Sequence, residues 1–89
     1  MQELTKLFQS QPPTITERYF ERALAIIDKL NNGSRFCQLG GKKLKACPEL
    51  IRFKFGKKRL IVERINDHYT PISLIQRKNL VLFLKRRCS

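Results

Sequence analysis

The spacing of apolar residues changes along the chain from a helical repeat to a strand repeat. Between Ile15 and Leu30 the apolar side chains recur every three to four residues, which predicts an amphipathic helix over about 15–30. Within residues 49–55 they alternate with basic side chains instead, as the run IRFKF shows. A helix followed by strands predicts an α+β domain in which the helix covers one face of a small antiparallel sheet.

The helix and the first strand each carry one apolar stripe, and these stripes are expected to meet. Leu24 and Ile27 are predicted to face Phe53 and Phe55, while Arg22 is expected on the solvent side of the helix. The strand-borne charges are then expected on the opposite face of the sheet.

Two local signals mark the ends of the predicted helix. Thr14 and Glu17 have the spacing of a capping box, which predicts the helix start. The run 31–33, with sequence NNG, predicts its end.

The segment before this helix carries a weaker pattern. Leu4, Leu7 and Phe8 have helical spacing within 3–9, although an edge strand would give the same pattern. We leave helix and strand open, and treat 1–13 as a segment that can be loosely attached to a single domain of residues 1–89.

After the helix, the sequence predicts three antiparallel strands. They occupy 49–55, 59–65 and 69–75, with turns at 56–58 and 66–68.

Three neighbouring stretches complete this prediction. Residues 34–48 are predicted to form a basic connecting loop, and Pro71 is expected near the start of its strand or at a sheet edge. Residues 80–84 form either a fourth strand or a short helix.

The charge of the chain indicates a polyanionic partner. Nineteen Lys and Arg against seven Asp and Glu give a net charge of +12 on 89 residues. Residues 46–89 carry 11 basic and 3 acidic side chains, so the working face is expected in the second half. Strand alternation points Arg52 and Lys54 the same way, which predicts a phosphate-binding surface. The candidate nucleic-acid-binding residues are Arg52, Lys54, Lys57, Lys58, Arg59, Arg64, Arg77 and Lys78.

The residue types limit the chemistry that the chain can perform. One histidine and scattered carboxylates provide no two-metal nuclease site. Metal-independent RNA cleavage stays open, because it uses the 2′-hydroxyl of the RNA and needs only cations and one proton carrier. His68, Tyr69, Glu63 or a lysine of lowered pKa are the candidates for that carrier, and the catalytic residue is left unassigned.

No cofactor or metal is expected. Cys37, Cys47 and Cys88 lack the ligand spacing of a zinc site, and the run 40–43 is no phosphate-binding loop. An odd number of cysteines without a secretory leader predicts reduced thiols and a cytoplasmic protein. The longest nearly apolar run, 80–84, is too short to cross a membrane.

Several stretches together resemble the RelE/ParE-type toxins of bacterial toxin–antitoxin modules. They are 39–44 (LGGKKL), 48–64 (PELIRFKFGKKRLIVER) and 75–79 (IQRKN), within a resemblance that covers about 20–80. The resemblance implies helices packed on a small antiparallel sheet, and it matches Arg52, Lys54, Arg59 and Arg77 to basic positions of the family.

Two features depart from that family. Its members usually open with a strand, and they often carry Tyr or His directly after the late arginine, where this chain has Lys78 and Asn79. The resemblance implies a toxin that acts on mRNA at the ribosome or on DNA gyrase and is neutralised by an acidic antitoxin. The alternative, from charge alone, is a small non-enzymatic DNA- or RNA-binding protein, for example from a mobile element.

Overall fold

The structure, a computed structural model, confirms the α+β arrangement. It describes residues 2–88, and the side chains of residues 3–87. The sheet has four antiparallel strands in the order β1-β2-β3-β4. The elements are α1 (Gln2–Gln9), α2 (Pro13–Asn31), β1 (Gly41–Leu44), β2 (Cys47–Phe55), β3 (Lys58–Ile65), β4 (His68–Gln76) and α3 (Leu80–Cys88), with 3-10 turns at Phe36–Leu39 and Arg77–Asn79.

The predicted long helix is present, but the predicted capping box is wrong. Pro12 occupies the N-cap position without a side-chain hydrogen bond, and Thr14 lies inside the helix. Proline in the first turn is favourable because the first helical N–H groups have no partner within the helix. The predicted stop is confirmed, with Asn32 as the C-cap.

Residues 2–9 form a helix, which decides between the two alternatives for this segment. Leu4 and Phe8 are buried in the core, although the sequence left 1–13 as a segment that can be loosely attached. The Phe8 ring meets the Phe20 ring of α2 edge-on, with centroids 5.3 Å apart. The hydroxyl of Thr16 donates a hydrogen bond to the carbonyl of Phe8 at 3.3 Å, which further ties α1 to α2.

The prediction that 34–48 is a loop is wrong, because this stretch contains β1 and the start of β2. Gly41 pairs with Phe53, and a Cβ at Gly41 would lie only 2.7 Å from the Phe53 ring. Glycine therefore allows the strand to pass close over this ring. The sequence of β1 does not show the alternation typical of a strand, because Lys42 and Lys43 are both exposed and Leu44 is its only large apolar side chain.

One face of the sheet packs against α1 and α2, as predicted. Ile27 is 1 % exposed, and Leu24 packs against the same cluster while remaining partly exposed. Arg22 is exposed, as expected, and its guanidinium also lies over the Phe55 ring, 5.1 Å from the centroid. The buried members of this core are Leu4, Phe8, Ala23, Ile26, Ile27, Leu30, Ile51, Phe53, Phe55, Leu60, Val62 and Leu74.

The opposite face carries strand-borne charges along only part of its length. Leu50 and Ile61 are fully buried there, in a second cluster with Phe83 and Leu84 of α3. Residues 80–84 are therefore helical, which decides between the two alternatives for the end of the chain. Arg87 of α3 also forms an ion pair with Glu63 of β3 at 2.7 Å.

Two-residue turns connect the last three strands and fix their register. Gly56 opens the β2–β3 turn with φ +61°, and Asn66 and Asp67 form the β3–β4 turn with φ of 51° and 64°. Pro71 lies in β4, an edge strand, as predicted. No helix within residues 2–88 is both long enough and apolar enough to span a membrane.

Candidate functional site

A basic groove of about 800 Å³ lies beside the β2–β3 turn. Residues of α2, of this turn and of the segment after β4 converge on it, and three apolar or aromatic side chains, Ile15, Tyr19 and Phe55, form part of its lining. Six cationic residues also line the groove, which suits an anionic ligand with an apolar portion. These residues are Arg18, Lys57, Lys58, Arg59, Arg77 and Lys78.

Arg59 is the most constrained cation of the basic groove. It is 6 % exposed, and its Nη1 donates hydrogen bonds to the carbonyls of Gly56 at 2.9 Å and Lys58 at 2.8 Å. Burial lowers the pKa of Arg59 below its usual value, and the positive charges of Arg77 and Arg52 lower it further. An anion bound here would offset both effects.

No carboxylate neutralises this group of three arginines within the described part of the chain. The ion pairs among residues 3–87 are Arg64–Asp67 and Arg87–Glu63, so they leave Arg52, Arg59 and Arg77 without an acidic partner. Like charges held together in this way favour binding of a phosphate or carboxylate.

Tyr19 and Phe55 form the aromatic part of the basic groove. Their rings are stacked with centroids 5.1 Å apart and an interplanar angle of 5°. Arg18 and Tyr19 were not among the site residues predicted from the sequence. The available signal was that Arg18 and Tyr19 follow Ile15 by three and four positions, so that each is a neighbour of Ile15 on the surface of α2.

A second basic surface continues from the groove along the sheet. Lys42 pairs with Arg52 across β1 and β2, and Lys54 pairs with Arg59 across β2 and β3. Paired residues of antiparallel strands point to the same face, and residues two positions apart do as well. These four residues, Lys42, Arg52, Lys54 and Arg59, therefore form the basic sheet face, on the side opposite α2.

Arg64 lies away from the other candidate residues. It is five positions beyond Arg59 on β3, which corresponds to about 17 Å along an extended strand. Its Nη2 donates a hydrogen bond to Asp67 at 2.6 Å, which raises the pKa of Arg64, and its guanidinium lies 5.9 Å from the Tyr69 ring centroid. Arg64 therefore has an acidic partner, which Arg52, Arg59 and Arg77 lack among the described residues.

Comparison with known proteins adds an independent observation. A family profile described as a ParE-like toxin domain matches residues 17–79. The chain belongs to the ParE-like toxin domain family. The match spans most of α2 and all four strands, and it confirms the RelE/ParE-type resemblance. No curated protein and no solved structure matches the chain significantly.

This ParE-like domain brings most of the sequence-based candidates together. Lys57, Lys58, Arg59, Arg77 and Lys78 line the basic groove. Arg52 and Lys54 lie on the adjoining basic sheet face, whereas Arg64 belongs to neither surface. Arg59 belongs to both the basic groove and the basic sheet face.

Three of the candidate proton carriers, Glu63, His68 and Tyr69, do not line the basic groove, whereas lysines do. Glu63 is bonded to Arg87, and the exposed His68 begins β4 at the far hairpin. The main chain of Tyr69 is bonded to the side chain of Asn31. Among the residues that line the basic groove, there is no histidine or carboxylate, and Tyr19 is the only one with a hydroxyl.

The cysteines differ from the sequence-based expectation. Cys37 is free and exposed, but Cys47 is buried and disulfide-bonded, so the prediction of reduced thiols is wrong for Cys47. Disulfide formation depends on the spatial separation of two residues, which neither an odd count nor sequence spacing reveals. Among the residues described, no three His, Cys, Asp or Glu side chains lie close enough to hold a metal ion.

Proposed function

We propose that this ParE-like toxin acts in the cytoplasm by binding DNA gyrase engaged on DNA, and that it does so without cutting nucleic acid. The observation that carries the proposal is the group formed by Arg52, Arg59 and Arg77, which has no acidic partner among the described residues. A gyrase–DNA complex offers phosphates for these cations. The family assignment supports a toxin, and the charge supports a polyanionic target.

Binding is favoured over cleavage because the groove has few groups that can move a proton. RNA cleavage without a metal needs a proton carrier within hydrogen-bond reach of the bound phosphate. Glu63 and His68 do not line the groove, and Lys78 and Asn79 follow Arg77 in place of a Tyr or His. The cations can therefore bind an anionic target, and a toxin that inhibits its target by binding alone needs no proton carrier.

Supercoiling of relaxed plasmid DNA by purified gyrase tests this proposal. We expect the protein to inhibit supercoiling, and Arg77→Ala to weaken inhibition by about tenfold or more through loss of charge-assisted hydrogen bonds. Arg64→Ala is the matched control, because it removes an arginine from the far hairpin and should leave inhibition unchanged. Growth arrest on expression, together with unaffected gyrase at every protein concentration, would show that gyrase is not the target.

One observation favours a second function, a metal-independent endoribonuclease. Tyr19 lines the groove together with Arg59 and Arg77, so its hydroxyl lies in the same groove as cations that can bind RNA phosphate. If this function is correct, the protein cleaves mRNA on ribosomes, and Tyr19→Phe abolishes cleavage while RNA binding persists. RNA with a 2′-deoxy group at the cleavage site should then resist cutting.

An acidic antitoxin is the proposed neutralising partner, since a net charge of +12 favours a partner of opposite sign. Co-expression of such a partner should restore growth. If the purified protein binds duplex DNA with a steep salt dependence yet neither arrests growth nor inhibits gyrase, it is instead a plain nucleic-acid-binding protein.

A further inference from the structure

The last helix, α3, packs on the sheet through one of its sides. Leu80, Phe83 and Leu84 belong to the second cluster, and Arg87 forms the ion pair with Glu63. The four α3 residues have the spacing i, i+3, i+4 and i+7, which is that of one helix face. The opposite side of α3 is therefore directed away from the sheet.

This outward side combines apolar and cationic side chains. Val81 is 65 % exposed and Leu82 is 50 % exposed, although large apolar residues are mostly buried in the described part of the chain. Lys78, from the 3-10 turn before α3, is exposed as well, and so are Lys85 and Arg86. These five residues, which we call the outer stripe, are spaced i, i+3, i+4, i+7 and i+8. An apolar pair flanked by cations at helical spacing is typical of a helix that lies at a membrane surface.

A groove extends the outer stripe towards β4. It has a volume of about 490 Å³ and lies between α3 and the end of β4. Ile75, Leu82 and Phe83 form the apolar part of its lining, and Arg86 is among its cationic residues. Such a lining suits an amphiphile, which has an apolar chain and an anionic head.

The basic sheet face lies on the same side of the domain as α3. Leu50 and Ile61 pack with α3, while Arg52 and Arg59 lie two positions away on the same strands and belong to the basic sheet face. A helix is about 10 Å across, so a surface in contact with the outer stripe is about 10 Å from the sheet. This distance is about one Debye length at 0.1 M salt, so the sheet cations add to the attraction for an anionic surface.

The mixture of charge and apolar area determines which partner fits the outer stripe. Nucleic acid would pair with the cations but would leave Val81 and Leu82 without an apolar environment. A second copy would bring like charges together, with +12 on each chain. A bilayer with anionic phospholipids offers phosphates at its surface and acyl chains directly below, so it suits both kinds of side chain.

We propose that α3 is a membrane-contact helix whose outer stripe lies in the headgroup region of an anionic bilayer. Val81 and Leu82 enter the boundary of the acyl chains. Lys78, Lys85 and Arg86 keep their charges at the phosphates, while their aliphatic stems lie along the apolar pair. Binding through one short helix is reversible, so the protein exchanges between the membrane surface and solution. This inference goes beyond the proposed function and does not depend on it.

A single tryptophan can report the environment of the outer stripe, because the chain has none of its own. Leu82→Trp places the probe in the apolar pair, and Ala25→Trp, at an exposed position of α2, is the matched control. With vesicles of equal parts phosphatidylglycerol and phosphatidylcholine, the emission of Leu82→Trp should shift to the blue and be quenched by brominated acyl chains. The emission of Ala25→Trp should not change, because α2 lies on the other side of the sheet.

Co-sedimentation with vesicles measures how much the apolar pair contributes. The unaltered protein should bind the mixed vesicles at least about tenfold more tightly than vesicles of phosphatidylcholine alone. Val81→Ser combined with Leu82→Ser keeps the charge and should weaken binding to the mixed vesicles by about tenfold or more, because less apolar area is buried. Both positions are exposed, so the fold should persist, and circular dichroism checks this.

The contribution of the cations is measured in the same way. Lys85→Gln combined with Arg86→Gln should weaken binding by about fivefold for each lost cation. Lys29→Gln is the control, because Lys29 is exposed on α2 and lies farther than a Debye length of about 10 Å from the proposed contact. It should leave binding unchanged.

Several results would overturn the proposal. One is the absence of a blue shift of Leu82→Trp with the mixed vesicles, and another is an equal shift of Ala25→Trp. Unchanged vesicle binding by the double serine variant would reduce the interaction to charge attraction. A blue shift in concentrated protein without vesicles would identify a second copy as the partner. A shift with duplex DNA or with an acidic amphipathic peptide, but not with vesicles, would assign the outer stripe to nucleic acid or to a protein.

The inference and the proposed function can fail separately. Vesicle binding through the outer stripe by a protein that leaves gyrase unaffected would support the membrane contact and refute the proposed target. Gyrase inhibition without vesicle binding would do the reverse.

Discussion

The ring of Tyr19 lies flat against the ring of Phe55, with centroids 5.1 Å apart, and so joins α2 to the end of β2. Gly56 follows Phe55 directly and begins the β2–β3 turn with φ +61°. A Cβ on Gly56 would lie 2.5 Å from the hydroxyl oxygen of Tyr19. Tyr19, Phe55 and Gly56 thus contact one another where they line the basic groove, so a change at the turn is expected to affect the stacked pair.

We expect Gly56→Ala to destabilise the domain by about 1–3 kcal/mol, because alanine is strained at positive φ and its Cβ would displace Tyr19. Tyr19→Phe removes the atom that the Cβ would approach and keeps the stacking. The double variant should therefore regain part of the loss, so that the two effects are not additive. Urea denaturation of all four proteins measures this coupling, and strict additivity would show that the close approach does not matter.

The contact between α2 and the sheet leads to a second prediction. Ile27 is 1 % exposed in the main core, so Ile27→Ala should cost about 2–5 kcal/mol. Glu21→Ala on the exposed side of α2 is the control, and it should change stability by less than about 0.5 kcal/mol. Thermal melts compare the two, and equal small effects would contradict docking of α2 on the sheet.

Much of the fold could be predicted because periodicity records which side chains are buried. The alternation at Ile51, Phe53 and Phe55 gave β2 the correct inner face, and the helical repeat from Ile15 to Leu30 gave α2. β1 was missed because an edge strand of four residues with two exposed lysines has almost no apolar pattern. Its identity depends on pairing with β2, which is a tertiary property.

The candidate site shows the same division between local and tertiary information. Arg59 was identified as basic, but its burial and its two carbonyl partners depend on how the turn folds back. Arg64 was grouped with it by charge, although the predicted strand over 59–65 already places Arg64 five positions beyond Arg59. Tyr19 lies within the helical repeat from Ile15 to Leu30, and nothing in the local sequence connects it with Gly56.

The basic sheet face can be tested by the salt dependence of DNA binding. Arg52→Ala combined with Lys54→Ala removes two cations from exposed or partly exposed positions, so the fold should persist. Affinity for duplex DNA should fall, and the slope of log K against log salt should decrease by about two, one unit for each lost phosphate contact. An unchanged slope in a folded double variant would show that this face is only a solvated surface.

Burial and the nearby charges of Arg77 and Arg52 lower the pKa of Arg59 below its usual value. When the pKa of a base is lower in the folded state than in the unfolded state, the charged base lowers the stability of the folded protein. The stability increases only as the pH rises through the folded-state pKa. At neutral pH Arg59 is fully charged, so a bound anion, and not a change of pH, can relieve the penalty from burial and from Arg77 and Arg52.

We therefore expect inorganic phosphate to stabilise the protein more than chloride does at equal ionic strength. A tenfold excess of phosphate over its Kd contributes about 1.4 kcal/mol, and this raises Tm by about 5–10 °C in a domain of this size. Arg59→Gln should lose this increment, whereas Arg64→Ala at the far hairpin should keep it. An equal rise of Tm in all three proteins would identify a general effect of phosphate on protein hydration, and would leave the arginine group around Arg59 without a role in anion binding.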